Sequence, residues 1–252
     1  MKKSQNKVIN IKKPNKQQLS LDSFLQNGQT LVVGTLHETT GLRLLTKSSA
    51  RKLKGVDLLE ARLDSLPGHQ VSSSRFQLAV DLPMIATARH PGEGGVGNLS
   101  LARRRSLLEE SLSWASAIDV ELRSAQSLAP LIATAHQHGR TVILSHHNFS
   151  STPSLATMKE LALRASDLGA DLFKVATFLR NPGDLERLIG LQIAKTPIPV
   201  TAMGMGAAGR FSRIVLSGFG APLCYGWLGK PQVPGQWPAL ELAGVLSEVL
   251  PA

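Results

Sequence analysis

Cysteine, aromatic residues and long apolar runs are all scarce in this sequence of 252 residues. The single cysteine, Cys224, excludes a disulfide framework within the chain and fits a reducing compartment. No apolar run approaches the roughly 20 residues that cross a bilayer, and the N-terminus lacks the apolar core of a secretory signal. We therefore expect a cytoplasmic protein with no membrane segment.

Positive charge is in excess, with a formal net charge of +10. Residues 1–28 hold six lysines and one aspartate, which is half of that excess. We interpret residues 1–28 as a basic, solvated extension that could include a short strand at Lys7–Ile11. An arm that binds nucleic acid is the alternative, but no interleaved aromatic residues support it, and we do not expect it to be the main function. The remaining excess would help to attract a small anionic substrate.

Beyond residue 28, short apolar runs alternate with helical patterns, which gives eight candidate strands. The runs are Thr30–Thr35, Asp57–Asp64, Met84–Ala88, Ala117–Leu122, Thr141–His146, Asp171–Thr177, Ile198–Ala202 and Pro222–Gly226. This alternation is typical of βαβ units around a parallel sheet. Because no linker rich in Pro, Gly or Ser interrupts the pattern, residues 29–252 are predicted to form one domain.

Local signals mark several helix ends. Thr152–Pro153 and Asn181–Pro182 each resemble an N-cap residue followed by a proline at the first helical position. Gly139 and Gly169 follow helical patterns, where glycine commonly ends a helix in a left-handed conformation.

Charged residues inside two of the strands distinguish a barrel from an open sheet. Alternate positions carry charge in the second run (Glu60, Arg62, Asp64) and over Ile118–Arg123, which covers most of the fourth run and one residue beyond it (Asp119, Glu121, Arg123). An open sheet covered by helices needs apolar residues on both faces, whereas a barrel turns one face to its axis, where charges must pair or bind a ligand. The pattern favours an α/β fold of the (β/α)8 TIM-barrel type. The alternative is that these runs are exposed edge strands.

Lys174 and the His146–His147 pair are the candidate reactive groups. Lys174 lies in the middle of an apolar run, and a buried lysine deprived of water favours the neutral amine, which can attack a carbonyl. The two histidines end the preceding strand, and catalytic groups gather at the carboxyl ends of barrel strands. Alternation turns only one of the two inward, where it could carry protons.

Gly204–Gly209 matches the dinucleotide-binding pattern GxGxxG between a strand and a helix. The next acidic residue is Glu241, far beyond the roughly 20 positions expected for a ribose partner. We therefore interpret these glycines as a tight turn. Arg213, in the helical pattern that follows, could hold an anion.

Six motifs in order, LLEARLD, ARHPGEGG, SHHNF, FKVAT, GRFSR and PGQ, resemble the type I 3-dehydroquinate dehydratase family over nearly all of residues 29–250. Each motif alone is weak, but all six lie at strand ends or in loops. The resemblance implies a (β/α)8 barrel that is usually a homodimer and uses no metal or organic cofactor. It also implies a lyase that converts 3-dehydroquinate to 3-dehydroshikimate in the shikimate pathway.

The resemblance also implies residue roles. Lys174 of FKVAT would form an imine, or Schiff base, with the substrate, His147 would be the general acid–base, and Glu93 would lie near that histidine. Arg213 would bind the substrate carboxylate. Substrate or lid contacts are implied for Glu60, Arg62, Arg89, Gln232 and Gln236.

Three positions depart from the family pattern. Gln232 stands where the family often has serine, Asn148 where it usually has aspartate, and Gly34 near the place of a first-strand serine. These differences bear on substrate affinity and lid closure more than on the chemistry. The alternatives are another imine-forming barrel lyase or aldolase, a catalytically altered relative, or a binding module that uses the basic extension.

Overall fold

The computed structural model describes residues 29–38, 53–66 and 82–250. The predicted basic extension at residues 1–28, with its possible strand, lies outside the described residues. Within them, no helix is long and apolar enough to cross a membrane.

In the part of the chain that the structure describes, eight parallel strands form a curved sheet, and all eight predicted runs are confirmed. The strands are β1 (Leu31–Leu36), β2 (Leu58–Arg62), β3 (Met84–Thr87), β4 (Ala117–Glu121), β5 (Thr141–Asn148), β6 (Leu172–Phe178), β7 (Val200–Met205) and β8 (Leu223–Leu228). A two-residue strand, β9 (Trp237–Pro238), pairs with β8. The largest difference from prediction is in β7, which continues three residues further, because its ladder with β6 extends to Met205.

The sheet closes into the predicted (β/α)8 barrel. Strands pair in the order β7-β6-β5-β4-β3-β2-β1-β8, and the two end strands meet where the Leu223 amide donates to Thr201 Oγ1 at 3.2 Å. β2 and β4 each pair on both sides and are buried throughout. The alternative that they are exposed edge strands is therefore wrong.

In every strand except β7, interior positions change from apolar to polar along the barrel axis. The lower layer consists of aliphatic side chains: Val33, Leu58, Ile85, Ala117, Ile143, Leu172 and Leu223. Two residues further along the same strands, on the same face, the buried side chains are Thr35, Glu60, Thr87, Asp119, Ser145, Lys174 and Tyr225. The aliphatic layer seals the amino-terminal end of the barrel, and the polar layer forms the floor of a site at the carboxyl end.

Helices cover the outside of the barrel and bury a second apolar cluster against it. They are α1 (Leu101–Ser111), α2 (Leu122–Ala125), α3 (Ala129–Gln137), α4 (Leu155–Asp167), α5 (Pro182–Gln192), α6 (Gly209–Gly218) and α7 (Ala239–Val249), with a 3₁₀ helix at Pro91–Glu93.

Most of the predicted helix ends are confirmed. Asn181 caps α5 through a reciprocal capping box, and Gly139 and Gly169 follow α3 and α4 with positive φ angles of 64° and 85°. The prediction for Thr152 is wrong, because Ser154 caps α4 instead. The Thr152 hydroxyl is used elsewhere, in a 2.8 Å hydrogen bond to Thr177 Oγ1.

Candidate active site

A cavity of about 400 Å³ opens at the carboxyl ends of the strands. Its size is typical of a small-molecule site. All nine side chains predicted for the site line it: Glu60, Arg62, Arg89, Glu93, His147, Lys174, Arg213, Gln232 and Gln236. The apolar part of the cavity wall is formed by Val96, Phe149, Met203, Met205 and Val233. The structure therefore brings together residues separated by up to 176 positions in the sequence.

Lys174 lies at the floor of the cavity, and its side chain is almost fully buried. Its Nζ donates to Asp119 Oδ2 at 2.9 Å and to Glu60 Oε1 at 3.4 Å, and it lies 3.9 Å from the centroid of the Tyr225 ring. The apolar run in which Lys174 lies therefore does not describe its surroundings in space. Lys174 is buried among carboxylates, because the neighbouring strands supply charge from the same interior layer.

The two carboxylates beside Lys174 remain ionised. Burial alone would raise the pKa of Glu60, but the positive charges of Lys174, Arg62 and Arg89 outweigh burial and hold this pKa below its usual value. Burial opposes ionisation of Asp119 as well, yet Arg89 and Lys174 hold the pKa of Asp119 far below the ordinary range. Glu60 also accepts hydrogen bonds from Thr35 and Thr87, each at 2.9 Å, which fix its orientation.

His147 faces the cavity, whereas His146 does not line it. Glu93 Oε2 contacts His147 twice, accepting from its backbone amide at 2.9 Å and lying 3.0 Å from Nδ1. Burial, reinforced by Arg89 and Lys174, holds the pKa of His147 well below 6.5, so the ring is neutral near pH 7. A neutral imidazole that donates from Nδ1 to Glu93 leaves Nε2 free to accept a proton.

Glu93 is held by the turn that follows β3. It ends the 3₁₀ helix, after which Gly94 adopts a left-handed φ of 82°. Gly95 packs directly on the backbone carbonyl of Arg89, where a side chain would collide. Burial is the main cause that raises the pKa of Glu93 to about 7. This carboxyl therefore titrates near neutral pH, unlike Glu60.

Arg62, at the end of β2, and Arg89, two residues after β3, are largely engaged by protein carboxylates. Arg62 makes a bidentate pair with Asp64 at 2.9 and 2.8 Å, and no hydrogen bond within the described residues uses its Nη1. Arg89 forms a similar fork with Asp119, both contacts being 3.0 Å, and also reaches Glu121 at 3.3 Å. Their positive charge balances the acidic floor of the cavity.

Arg213 extends from α6 to the opposite wall of the cavity. Its Nε and Nη1 donate to backbone carbonyls, among them those of Gly204 and Gly209 at 3.0 Å each. No hydrogen bond within the described residues uses its Nη2. Burial lowers the pKa of Arg213 to about 10, so it still carries its charge. The glycines of the GxGxxG pattern form a turn, as predicted, with Gly206 at a left-handed φ of 88°. The carbonyls of this turn also support the arginine, which the sequence did not predict.

The segment before β9 covers the same side of the cavity. Gln236 Oε1 accepts from the backbone amides of Gln232 and Val233 at 2.8 and 3.3 Å, which ties the segment into a turn. Arg213 Nη1 donates to the carbonyl of Gly235 at 2.5 Å. The turn that carries Gln232 and Gln236 is thus fixed to the arginine that faces the cavity.

Two of the noted sequence departures lie away from the cavity. A side chain at Gly34 would point toward Leu228 and Val56, away from the barrel axis. The assignment of Gly34 to the substrate region is therefore wrong. The next residue, Thr35, lines the cavity instead. Asn148 accepts from the backbone amides of Ser150 and Ser151, each at 3.0 Å, and shapes the turn after β5.

Tyr225 and Asp119 are the central residues that the site prediction left out. The alternation of charge on β4 placed Asp119 on the axial face, but it did not predict which residue Asp119 would pair with. Tyr225 carries no comparable signal, because an aromatic residue within a strand is ordinary. Burial raises the pKa of Tyr225 well above 10, and its hydroxyl has no hydrogen-bond partner among the described residues.

The closed barrel and its cavity define the general class of protein. In (β/α)8 barrels of enzymes, the reactive groups project from the carboxyl ends of the strands into one pocket. Here that pocket combines a buried lysine, a neutral histidine, ionised carboxylates and arginines. The chain is a (β/α)8-barrel enzyme.

A sequence model of the type I 3-dehydroquinase family matches residues 35–249. The 3-dehydroquinate dehydratase of Latilactobacillus sakei is 34% identical over 206 residues, covering 78% of this chain and 85% of the relative. The 3-dehydroquinate dehydratase of Methanothermobacter thermautotrophicus is 32% identical over 210 residues, covering 82% of this chain and 92% of the relative. The crystal structure of the type I enzyme from Clostridium difficile, with covalently modified comenic acid, superposes with a TM-score of 0.73 at 25% identity. The superposition covers 88% of this chain and 92% of that chain. The chain belongs to the type I 3-dehydroquinase family.

Proposed function

We propose that this protein dehydrates 3-dehydroquinate to 3-dehydroshikimate through an imine on Lys174, as a step of the shikimate pathway. The observation that carries the proposal is the burial of Lys174 in the same cavity as a neutral, Glu93-bound His147. A lysine at the floor and a proton carrier on the wall are the two groups that an imine-based elimination needs. Membership of the family supports the choice of substrate.

The proposed reaction begins at the substrate ketone. Nζ of Lys174 gives up a proton and attacks the carbonyl carbon, and the carbonyl oxygen leaves as water with two protons that come from the original ammonium group. The nitrogen keeps one proton, so the product is a protonated imine. This cation acidifies the adjacent C2–H bond, since the electron pair released there can move to nitrogen. His147 Nε2 takes the C2 proton, which gives the neutral enamine and an imidazolium.

Elimination and release complete the proposed cycle. The enamine returns its electron pair as the C1–O bond breaks, and the imidazolium of His147 gives its proton to the departing hydroxyl, which leaves as water. A second water then hydrolyses the product imine and frees Lys174. The water consumed in this last step balances the one lost when the imine forms, so the overall change is the loss of one water.

The remaining cavity residues would position the substrate. Arg213, with Nη2 available, would bind the carboxylate and set the orientation of the ring. Glu60, Arg62, Gln232 and Gln236 would contact the ring hydroxyls. Arg89 is committed to Asp119 and Glu121, so its contribution would come mainly from its charge.

Borohydride trapping tests this proposal. The purified protein is mixed with 3-dehydroquinate and borohydride, digested, and analysed for a mass added to the peptide that contains Lys174. We expect the adduct in the parent and in Lys159→Ala, a control at an exposed lysine of α4, but neither adduct nor turnover in Lys174→Ala. A fully active Lys174→Ala variant would disprove the mechanism.

The choice of histidine has its own test. His147→Ala should lose turnover yet still form the adduct, because attack on the ketone and removal of the C2 proton are separate steps. His146→Ala is the matched control, since this neighbouring residue does not line the cavity. If His146→Ala gave that pattern instead, the assignment within the pair would be wrong.

We also propose that the protein acts as a cytoplasmic homodimer. Light scattering at micromolar concentration measures the oligomeric state, and a monomer would contradict this part of the proposal. Retro-aldol cleavage of a ketose substrate, without dehydration of 3-dehydroquinate, would support an aldolase instead.

A further inference from the structure

We propose that Asp119 is a positioning residue, which holds Nζ of Lys174 at the cavity floor and keeps that nitrogen positively charged after it has joined the substrate. The inference rests on the proposed function of Lys174 and extends it to a residue that does not itself line the cavity. It assigns a role in the reaction to the most deeply buried anion of the barrel interior.

Asp119 is fully enclosed, and all of its acceptor positions are used. Oδ1 accepts from Arg89 Nη1 at 3.0 Å and from Ser145 Oγ at 2.6 Å. Oδ2 accepts from Arg89 Nη2 at 3.0 Å and from Lys174 Nζ at 2.9 Å. A carboxylate has about four lone-pair sites, so three contacts fix this group and the fourth is directed at Lys174.

The position of Asp119 in the sheet explains this geometry. β5 separates β4 from β6, and in the ladder Ser145 lies opposite Lys174 and next to Glu121. Asp119 and Lys174 therefore reach each other across the barrel interior beside Ser145. The three strands place Asp119, Ser145 and Lys174, and Arg89, two residues beyond the end of β3, fixes the carboxylate through two further contacts, which makes the arrangement rigid.

Glu60 is the other carboxylate near Lys174, but it is placed differently. Its contact with Nζ is longer, at 3.4 Å, and its side chain lines the cavity, where a substrate hydroxyl can compete for it. Asp119 does not line the cavity, so a bound substrate leaves its contact with Nζ intact. Of the two, Asp119 is therefore the partner that can stay with the nitrogen throughout the reaction.

The charge balance of the reaction requires such a partner. The lysine ammonium and the ketone give the protonated imine plus water, so the nitrogen keeps one positive charge and one N–H. That N–H can point at Asp119 Oδ2 in the imine and in the neutral enamine. An ionised acceptor in a buried site favours the cationic imine, from which the C2 proton is lost.

The variant Asp119→Asn keeps the size of the side chain and removes its charge. We expect kcat to fall by about 100-fold, as when one preorganised electrostatic contact is removed from an active site. KM should change by less than about threefold, because Asp119 does not line the cavity and the lost interaction forms with the reacting nitrogen. Borohydride trapping on Lys174 at saturating 3-dehydroquinate should slow in parallel.

The controls separate a role in positioning from a role in stability. Asp184→Asn removes another buried aspartate, which binds the backbone amides of Arg180 and Asn181 at the start of α5, and should lower the melting temperature without lowering kcat. Ser145→Ala removes one donor to Asp119 but leaves its charge, and we expect about a tenfold loss of kcat, at the low end of the free energy of one hydrogen bond to a charged group.

Several outcomes would overturn the proposal. One is an unchanged kcat in a folded Asp119→Asn variant, and another is a raised KM with kcat retained, which would mean that Asp119 only anchors Arg89. If Asp119→Asn does not fold, Ser145→Ala decides, and a parental kcat in it overturns the proposal. Absence of the Lys174 adduct in the parent protein would instead refute the proposed function itself.

Discussion

Glu93 provides the sharpest prediction, because its pKa of about 7 places its titration in the physiological range. Replacing it by glutamine removes the charge and keeps the shape of the side chain. When Glu93 is ionised, it accepts the Nδ1 proton of His147, and Nε2 is free to act as a base. When Glu93 is protonated, it can donate to Nδ1, which places the ring proton on Nε2 and blocks proton abstraction.

The activity of the parent should therefore rise with pH through about 7. Because kcat/KM reports the free enzyme, its pH profile should show an inflection there that belongs to the coupled Glu93–His147 pair. The Glu93→Gln variant should lose this inflection and should have about tenfold to 100-fold lower kcat/KM at pH 8. A parent profile that is flat between pH 6 and 8 would refute the assignment.

The same substitution makes a prediction for stability with a defined sign. The pKa of Glu93 rises from 4.5 in the unfolded chain to about 7 in the folded one. The unfolded state therefore ionises first, and the free energy of unfolding falls as the pH rises from 4.5 to 7. A pKa difference of about 2.5, at about 1.36 kcal/mol for each pH unit, gives an upper limit of about 3 kcal/mol.

Urea unfolding at pH 4 and pH 8 measures this effect. We compare the free energy of unfolding of Glu93→Gln with that of the parent at each pH. The difference, variant minus parent, should be up to about 3 kcal/mol larger at pH 8 than at pH 4. If the difference between parent and variant were the same at both pH values, Glu93 would not be the group with the raised pKa.

Three further substitutions test the packing around the site. Tyr225→Phe should stabilise the fold by about 1 kcal/mol in chemical denaturation, because it removes a buried hydroxyl that has no partner among the described residues. Arg104→Ala should lower the free energy of unfolding by about 3–5 kcal/mol in the same measurement, because Glu121 loses a buried partner at 2.7 Å. Gly95→Ala should lower kcat by at least about tenfold in a steady-state assay, because its methyl group would collide with the carbonyl of Arg89 and displace the turn that holds Glu93, the residue that orients the base His147.

The sequence by itself determined the number and order of the strands and the identity of nine residues that line the cavity. Short apolar runs that alternate with helical patterns predicted eight parallel strands. Charged residues at every second position of the second and fourth strands predicted an axial face. The motifs then pointed to nine side chains, and all nine line one cavity.

Only the tertiary structure decided how these side chains are paired. The neighbours of Lys174 along the chain are apolar, but its contacts in space are Asp119 and Glu60, which come from strands on other parts of the barrel wall. The opposite displacements of the Glu93 and His147 pKa values likewise depend on burial and on distances between loops. Strand periodicity is a local property that the chain encodes directly, whereas charge pairing and desolvation arise only when the barrel closes and brings distant strands within a few ångströms.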